Sequence, residues 1–348
     1  MKKLKVLLMI DWAPEKRSYL AEELIKLGID CDVIGTDFSV AKWKPIKKYF
    51  THWYRCFIVS YKAFKKRHKY DYIISWQQLM GLFYAGLKQF VKNDRPRLFI
   101  TKTILSERKN PVIAFIRKVG FRKMLKGADI IGCCTLPLLR KMRDEYTLPE
   151  SKLVHLPFFY QAKEDFTEEE IQKTDMEIFS IGVSNRDYLT LLRAAERINH
   201  KFVIVAPKFT LSGLSIPSNV KIYNNLFGIE ASRLMRRARM VVIPLKSVNF
   251  PSGETVLFEA MTYGKPVIIT RSITTQEYVK HEVDGLLVEK QNEDELVQAI
   301  NYFLEDSKRA KKIGTAGRIS LKRSYTIENF SENIYNYLYS DYKKGKMN

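Results

Sequence analysis

The segment NFPSGETVLFEAMTYGKPVIIT, Asn249–Thr270, gathers the residue types most able to do chemistry in this chain: the small residues Ser252, Gly253 and Thr255, and the carboxylates Glu254 and Glu259. A loop of small residues that opens a helix presents unpaired amide N–H groups at the positive end of the helix dipole, a natural seat for a phosphate or pyrophosphate. Ser252, Gly253 and Thr255 are therefore the candidate anion-binding positions. Glu259 lies among Val256, Leu257, Phe258 and Met261, which leave little exposed surface around it. A carboxylate held there has two oxygens able to accept two hydroxyls of a ribose. The plainer alternative is a glutamate that faces solvent.

Such a loop needs strands and helices to position it. Strands are predicted near Lys5–Ile10, Cys31–Ile34, Tyr72–Ser75, Arg97–Thr101, Ile130–Cys133 and Leu153–Leu156. Between them lie helical patterns near Lys16–Leu27, Trp53–His68, Leu79–Lys92, Pro111–Lys126 and Leu136–Glu145. The polar stretch 161–176 marks a linker, after which the alternation restarts. Strands follow near Ile178–Gly182, Phe202–Ala206, Val220–Tyr223, Val241–Leu245, Pro266–Thr270 and Leu286–Val288. Helices follow near Tyr188–Ile198, Ile229–Arg236, Glu293–Leu304 and Ser307–Arg318. Regular alternation argues for parallel sheets covered by helices, hence an α/β chain with two doubly wound, Rossmann-like domains, 1–165 and 166–328. In such sheets ligands bind beyond the carboxyl ends of the strands, and the active site is expected in a cleft between the two domains.

Composition bounds the remaining options. A chain of 348 residues exceeds one comfortable core, and 46% hydrophobic content excludes a disordered protein. Cys31, Cys56, Cys133 and Cys134 show no metal-ligand spacing, which suggests a reduced, cytoplasmic protein with no bound metal. The Asp30-Cys31-Asp32 pattern flanks a predicted buried strand and is discounted as a metal motif; His52, His68, His155, His200 and His281 stand in no catalytic context. The apolar run Val6–Ile10 is too short for a signal peptide, and no stretch is long enough to span a membrane.

The net charge of +21 is concentrated in the first half, where residues 1–165 carry 33 Lys+Arg against 16 Asp+Glu. Two segments, 38–70 and 108–127, mix basic residues with large apolar ones; Lys42, Trp43, Lys44, Trp53, Tyr54, Lys65 and Arg67 belong to the first, Arg108, Phe115, Arg117 and Phe121 to the second. Such mixtures suit an anionic bilayer surface. They also suit nucleic acid, or an ordinary solvated basic face.

From Ile178 onward the sequence resembles the GT-B glycosyltransferases of the group 1, or family 4, type. The resemblance rests on EAM at Glu259–Met261, GKPVI at Gly264–Ile268, QEYV at Gln276–Val279 and DGLLV at Asp284–Val288, together with the opening IFSIGVSNRDYLTLLRAAERI. The tail YTIENFSENIYNYLYSDY is similar to the last helix of that fold, which implies that residues 329–348 return to the N-terminal domain. The resemblance implies a nucleoside-diphosphate sugar as donor substrate, with no separate cofactor and no metal. It implies Glu259 on the ribose, Ser252, Gly253, Glu254 and Thr255 around the pyrophosphate and donor sugar, and Arg186 and Lys246 as cations that neutralise the leaving diphosphate. It further implies a retaining, hexosyl-type transferase acting in polysaccharide, lipopolysaccharide or capsule biosynthesis on a lipid-linked or cell-surface glycan acceptor. The basic segments would then dock on the anionic inner face of the membrane. Pro251 stands where the family carries the first glutamate of its pair, and Ile100–Thr103 lacks the family's histidine. A nucleic-acid-binding protein, a GT-B-fold epimerase and an inactive sugar-nucleotide-binding homologue are the alternatives.

Overall fold

The computed structural model describes residues 3–13, 18–36, 45–91, 95–103, 110–162, 166–172 and 177–347. The chain divides into two compact units, Met1–Pro157 with Ile327–Asn348, and Phe158–Thr326. The stretch 161–176 read as a linker falls in the second unit; its residues 163–165 and 173–176 lie outside the described residues.

The first unit runs β1 (Lys5–Met9), α1 (Tyr19–Lys26), β2 (Asp30–Ile34), α2 (Pro45–Lys66), β3 (Tyr72–Ser75), α3 (Gln78–Lys88), β4 (Arg97–Ile100), α4 (Pro111–Leu125), β5 (Ile130–Cys133), α5 (Leu136–Tyr146) and β6 (Leu153–His155). Its six strands are all parallel, in the order β2-β1-β3-β4-β5-β6. Central strands such as YIIS are buried at every residue, as a sheet covered on both faces requires. β2 corrects the expectation of a buried strand around Cys31: it is an edge strand paired only with β1, with Asp30 and Asp32 exposed. α2 begins earlier than its aromatic pattern suggests, at Pro45, because proline is pre-set for a first helical turn. α4 is capped in the same fashion, with Asn110 Oδ1 accepting from the amides of Val112 (2.9 Å) and Ile113 (3.2 Å) and Pro111 following directly.

The second unit runs α6 (Glu168–Gln172), β7 (Ile178–Ile181), α7 (Tyr188–Glu196), β8 (Phe202–Val205), β9 (Val220–Tyr223), α8 (Ile229–Arg237), β10 (Met240–Ile243), α9 (Glu254–Thr262), β11 (Val267–Thr270), α10 (Thr275–Tyr278), β12 (Leu286–Val288), α11 (Glu293–Glu305) and α12 (Ser307–Ser324). Its parallel sheet has the order β12-β11-β10-β7-β8-β9. Successive residues of one strand enter different cores. Ile178, Phe202, Ile204 and Val242 pack with α7 and α11, whereas Phe179, Val203, Val205 and Val241 pack with α8 and α9. The last helix, α13 (Ile327–Met347), belongs to the first unit. Tyr72 Oη donates to Asp341 Oδ2 (2.7 Å), Arg97 pairs with the same carboxylate (2.6 Å), and Tyr337 Oη donates to the His155 carbonyl (2.8 Å).

α12 fixes the end of α9 through two glycines. A Cβ on Gly314 would lie 2.3 Å from the Gly264 carbonyl oxygen, and one on Gly317 would lie 2.9 Å from that of Asp284. Both neighbours are backbone and cannot rotate away. Gly314→Ala should therefore lose more by overpacking, at least about 1–3 kcal/mol, than the ~1 kcal/mol gained from helix propensity. Urea unfolding checks this: the expected result is a lower midpoint, and an unchanged or higher one would show that the contact is not limiting.

Candidate functional site

In the second unit the strand order reverses between β7 and β10, since β7 continues to β8 on one side while β10 pairs with it on the other. This switch point is where a doubly wound sheet opens a ligand crevice at its carboxyl edge. The two loops that leave it are stitched together. Asn185, at φ +57°, accepts from the Ser247 amide through Oδ1 (2.8 Å) and donates from Nδ2 to the Ser247 carbonyl (2.8 Å). The Lys246 amide donates to the Asn185 carbonyl (3.2 Å), the Asp187 amide to that of Pro244 (3.0 Å), and Arg186 and Leu245 form an isolated antiparallel bridge.

Arg186 is buried inside this seam. Its Nε donates to the Ile181 carbonyl (3.0 Å) and its Nη1 to that of Ser184 (3.2 Å). The guanidinium folds over Gly182, whose φ of +141° and missing side chain make room for it; a Cβ there would meet Arg186 Nε at 2.5 Å. Burial pulls the guanidinium below its ordinary value, opposed by Tyr188 and by the charge of Glu254. Lys246, near the start of the loop that follows β10, is exposed.

Gly253 takes φ +97° and caps α9 without a side-chain bond. Glu254, the first residue of α9, is buried; its Oε1 accepts from the Ser252 amide (2.9 Å) and from the hydroxyl of Thr274. Thr274 sits in a knot in which Thr275 Oγ1 accepts from the Ser272 amide (2.8 Å) and donates to the Thr270 carbonyl (2.7 Å). Burial raises the Glu254 carboxyl, and its hydrogen bonds and Arg186 resist that rise. Ser252 is buried beside Glu254, and Thr255 is exposed on the first turn.

Glu259 is 4% exposed, so the solvent-facing alternative is excluded. Its Oε1 accepts from the Ser232 hydroxyl of α8. The carboxylate lines a cavity of about 180 Å³ at the carboxyl ends of β7 and β8, whose wall includes Gly182, Ala206, Pro207, Phe227 and Gly228. The Tyr160 phenol lies close enough that burial and then the Glu259 charge raise it. The structure thus couples Arg186 to Glu254, and it places the loop that carries Arg186 in the same cavity wall as Glu259. Ser232 and Tyr160 are missing from the sequence reading. Neither lies in a motif, and only the fold brings them to Glu259.

Residues 162–320 match the family Glycosyl transferases group 1. That stretch is similar to group 1 glycosyltransferases. An uncharacterized glycosyltransferase of Methanocaldococcus jannaschii is 30% identical over 109 residues, which are 31% of this chain and 27% of that protein. The matched stretch thus spans about a quarter of this curated relative's length. Over 97% of the chain and 100% of theirs, the fold matches Anabaena HepE crystallised with UDP (TM-score 0.71, 15% identity) and the sucrose-phosphate synthase of Thermosynechococcus elongatus (TM-score 0.75, 17% identity). The fold class is that of GT-B glycosyltransferases, with two doubly wound α/β units.

Within the matched stretch, the remaining motifs hold the frame. Gly264, at φ +62°, turns α9 into β11, and Asp284 accepts from the Lys280 amide (2.7 Å) and from the Ser320 hydroxyl (2.9 Å). His281 Nδ1 accepts from the Leu287 amide (3.0 Å).

The basic segments of the first unit form two helices that each present an unburied apolar stripe. On α2, Cys56, Val59, Ser60 and Ala63 face the core, while Phe50 (76% exposed), Trp53, Tyr54, Phe57 and Tyr61 repeat at helical spacing on exposed surface. On α4, Val112, Phe115 (67% exposed), Ile116 and Val119 do the same. Lys62, Lys65, Lys66, Lys118, Arg122 and Lys123 are exposed beside them. Lys42, Trp43, Lys44 and Arg108 lie outside the described residues. Among the described residues no helix is long and apolar enough to cross a membrane.

Because the Glu254 carboxyl is raised in the fold, its contribution to stability is greatest below the ordinary carboxyl value of 4.5 and is lost as pH rises through the raised value. Glu254→Gln mimics the protonated form and lacks that dependence. The stability of the native protein relative to this variant should therefore fall between pH about 4.5 and pH 7 in urea unfolding. A difference that grows with pH would mean that Arg186 and the hydrogen-bond donors outweigh burial.

Proposed function

We propose that the chain is a retaining, hexosyl-type glycosyltransferase that moves a sugar from a nucleoside diphosphate to a lipid-linked or cell-surface glycan acceptor in surface polysaccharide synthesis. The observation that carries this reading is the buried carboxylate of Glu259 in the wall of a cavity at the carboxyl ends of β7 and β8. A ribose there satisfies the carboxylate with two hydroxyls, and Ser232 keeps the acid oriented. The capture of Anabaena HepE with UDP and with UDP-glucose favours a uridine nucleotide.

The diphosphate then meets the amides of Gly253, Glu254 and Thr255 at the start of α9, where the helix dipole favours negative charge, while the Ser252 amide stays on Glu254. Arg186 lends its buried charge to the loop and Lys246 supplies an exposed cation, so the departing diphosphate is stabilised as its charge develops. In this reading no metal ion is needed. The bond from the anomeric carbon to the diphosphate breaks and the bond to the acceptor hydroxyl oxygen forms on the same face. The acceptor's proton passes to the leaving phosphate, which closes the balance. The acceptor side belongs to the first unit, whose exposed aromatic stripes and lysines suit the anionic inner face of a membrane.

Calorimetric titration with UDP and UDP-glucose tests the donor reading. Glu259→Ala should weaken UDP binding by roughly ten- to a hundred-fold, the loss of charge-assisted hydrogen bonds. Equal affinity in the variant would remove the ribose role, and no binding of any nucleotide by the native chain would remove the transferase. Co-sedimentation checks the membrane reading. The chain should pellet with phosphatidylglycerol vesicles at low salt, release at high salt and ignore neutral vesicles. Indifference to vesicle charge would count against a membrane partner.

A further inference from the structure

The first unit contains a cavity of about 650 Å³ that the donor chemistry leaves without a role. Its walls come from three helices and two loops. Trp53 of α2, Leu82 and Phe83 of α3, and Phe121 and Met124 of α4 supply an apolar body, while Trp76 and Lys102 line it from the loops that follow β3 and β4. The volume falls in the range of roughly 300–1,000 Å³ usual for small-molecule sites. The lining is mainly apolar, with Gln77 and Gln78 as its uncharged polar side chains, and Gln77 is engaged with the Asp11 carboxylate. Polar groups are few and include two cations: Lys102, whose Nζ lies 4.3 Å from the Trp76 ring centroid, and Arg117, whose guanidinium lies 5.7 Å from that of Phe121. Burial pulls the Lys102 ammonium down to about 8, with Cys134 and the Asp11 carboxylate opposing that fall, and a further anion in the cavity would favour its charged form.

The cavity wall is continuous with exposed surface. Trp53 is 55% exposed and belongs to the outer stripe of α2, and Gly120 and Phe121 follow directly on Val119, the end of the outer stripe of α4. An apolar chain buried in an anionic membrane could therefore pass from the bilayer into the cavity along apolar side chains, while the basic residues of both helices match the membrane's charge.

We propose that this cavity seats the hydrocarbon chain of an anionic, phosphate-bearing lipid, with Lys102 and Arg117 taking the phosphate. The inference deepens the transferase reading by making this lipid the carrier of the acceptor, and it rests on that reading for the lipid's part in the reaction.

The test uses n-alkyl phosphates from butyl to tetradecyl, each below its micelle concentration, with the full chain and tryptophan fluorescence as readout. Trp53 and Trp76 line the cavity and report its filling directly. Affinity should rise about four-fold per methylene while the chain is being buried, then reach a plateau when the cavity is full. Gly120 lines the cavity, and a Cβ there meets no atom within 4 Å, so Gly120→Trp should fold normally and shift the plateau to shorter chains. Phe83→Ala should shift it to longer ones. Lys102→Met should weaken alkyl phosphates while leaving the matching alcohols unchanged. Affinity without chain-length dependence, or a rise that neither cavity variant alters, would overturn the proposal. UDP titration of the same preparation separates the two failures. UDP binding without a plateau sinks only the lipid site, whereas a plateau without UDP binding upholds the site and removes the transferase.

Discussion

A carboxylate taken out of water must be held by donors, and α9 takes two of them out of water within two turns. Each would cost several kcal/mol if left unpaired. Much of the second unit's local geometry follows from meeting that demand. The Ser252 amide and Thr274 serve Glu254, Ser232 serves Glu259, and the Arg186 guanidinium supplies the nearest positive charge to Glu254. Arg186 in turn needs Gly182 beneath it and the carbonyls of Ile181 and Ser184 around it. The same seam ties the loops after β7 and β10, so the residues that neutralise Glu254 also set the floor of the crevice.

The two acids differ in what is left for a ligand. Glu254 is enclosed by its own loop and acts on the shape and charge of the α9 terminus. Glu259 borders empty space. A helix with an apolar flank thus carries one acid that builds the site and a second that faces it. Pro251 stands where group 1 glycosyltransferases carry the first glutamate of a pair, and Glu254 turns inward to accept from the Ser252 amide, which in the proposed donor site leaves the next helix-start amides for an anion.

The frame was legible because buried parallel strands are short and almost wholly apolar. IFSI, FVIV and VIIT are visible as such, and Gly182 after the first and Pro207 after the second mark where the chain turns. The burial of Glu259 was equally legible, since Val256, Leu257, Phe258 and Met261 leave no polar face for it. What stayed hidden depends on long-range approach. Ser232 reaches Glu259 from another helix, and Thr274 reaches Glu254 from beyond the next strand. The edge position of β2 was hidden for a similar reason: strand order is set by crossovers, and the apolar character of Val33 and Ile34 does not reveal how many neighbours the strand has. The cavity between α2, α3 and α4 was invisible because its lining residues are spread over five elements.

Most of the exposed stripe on α2 lies outside the packing of the first unit, although Trp53 and Phe57 meet the Phe83 ring of α3 edge-on, with centroids 5.9 and 5.7 Å apart. Ser60 Oγ bonds to the carbonyls of Cys56 (2.7 Å) and Met80 (2.9 Å), and with Val59 and Ala63 it already seats α2 on its neighbours. Phe50 and Tyr54 are thus surplus to the core, and Trp53 and Phe57 keep much of their surface exposed, an apolar patch that the lysines beside it only partly offset. α2 also carries no acidic residue, so its charges repel along the helix instead of pairing at i,i+4. A helix built for its own stability would have neither feature. The membrane surface proposed above, an apolar phase bounded by negative charge, would remove both costs together.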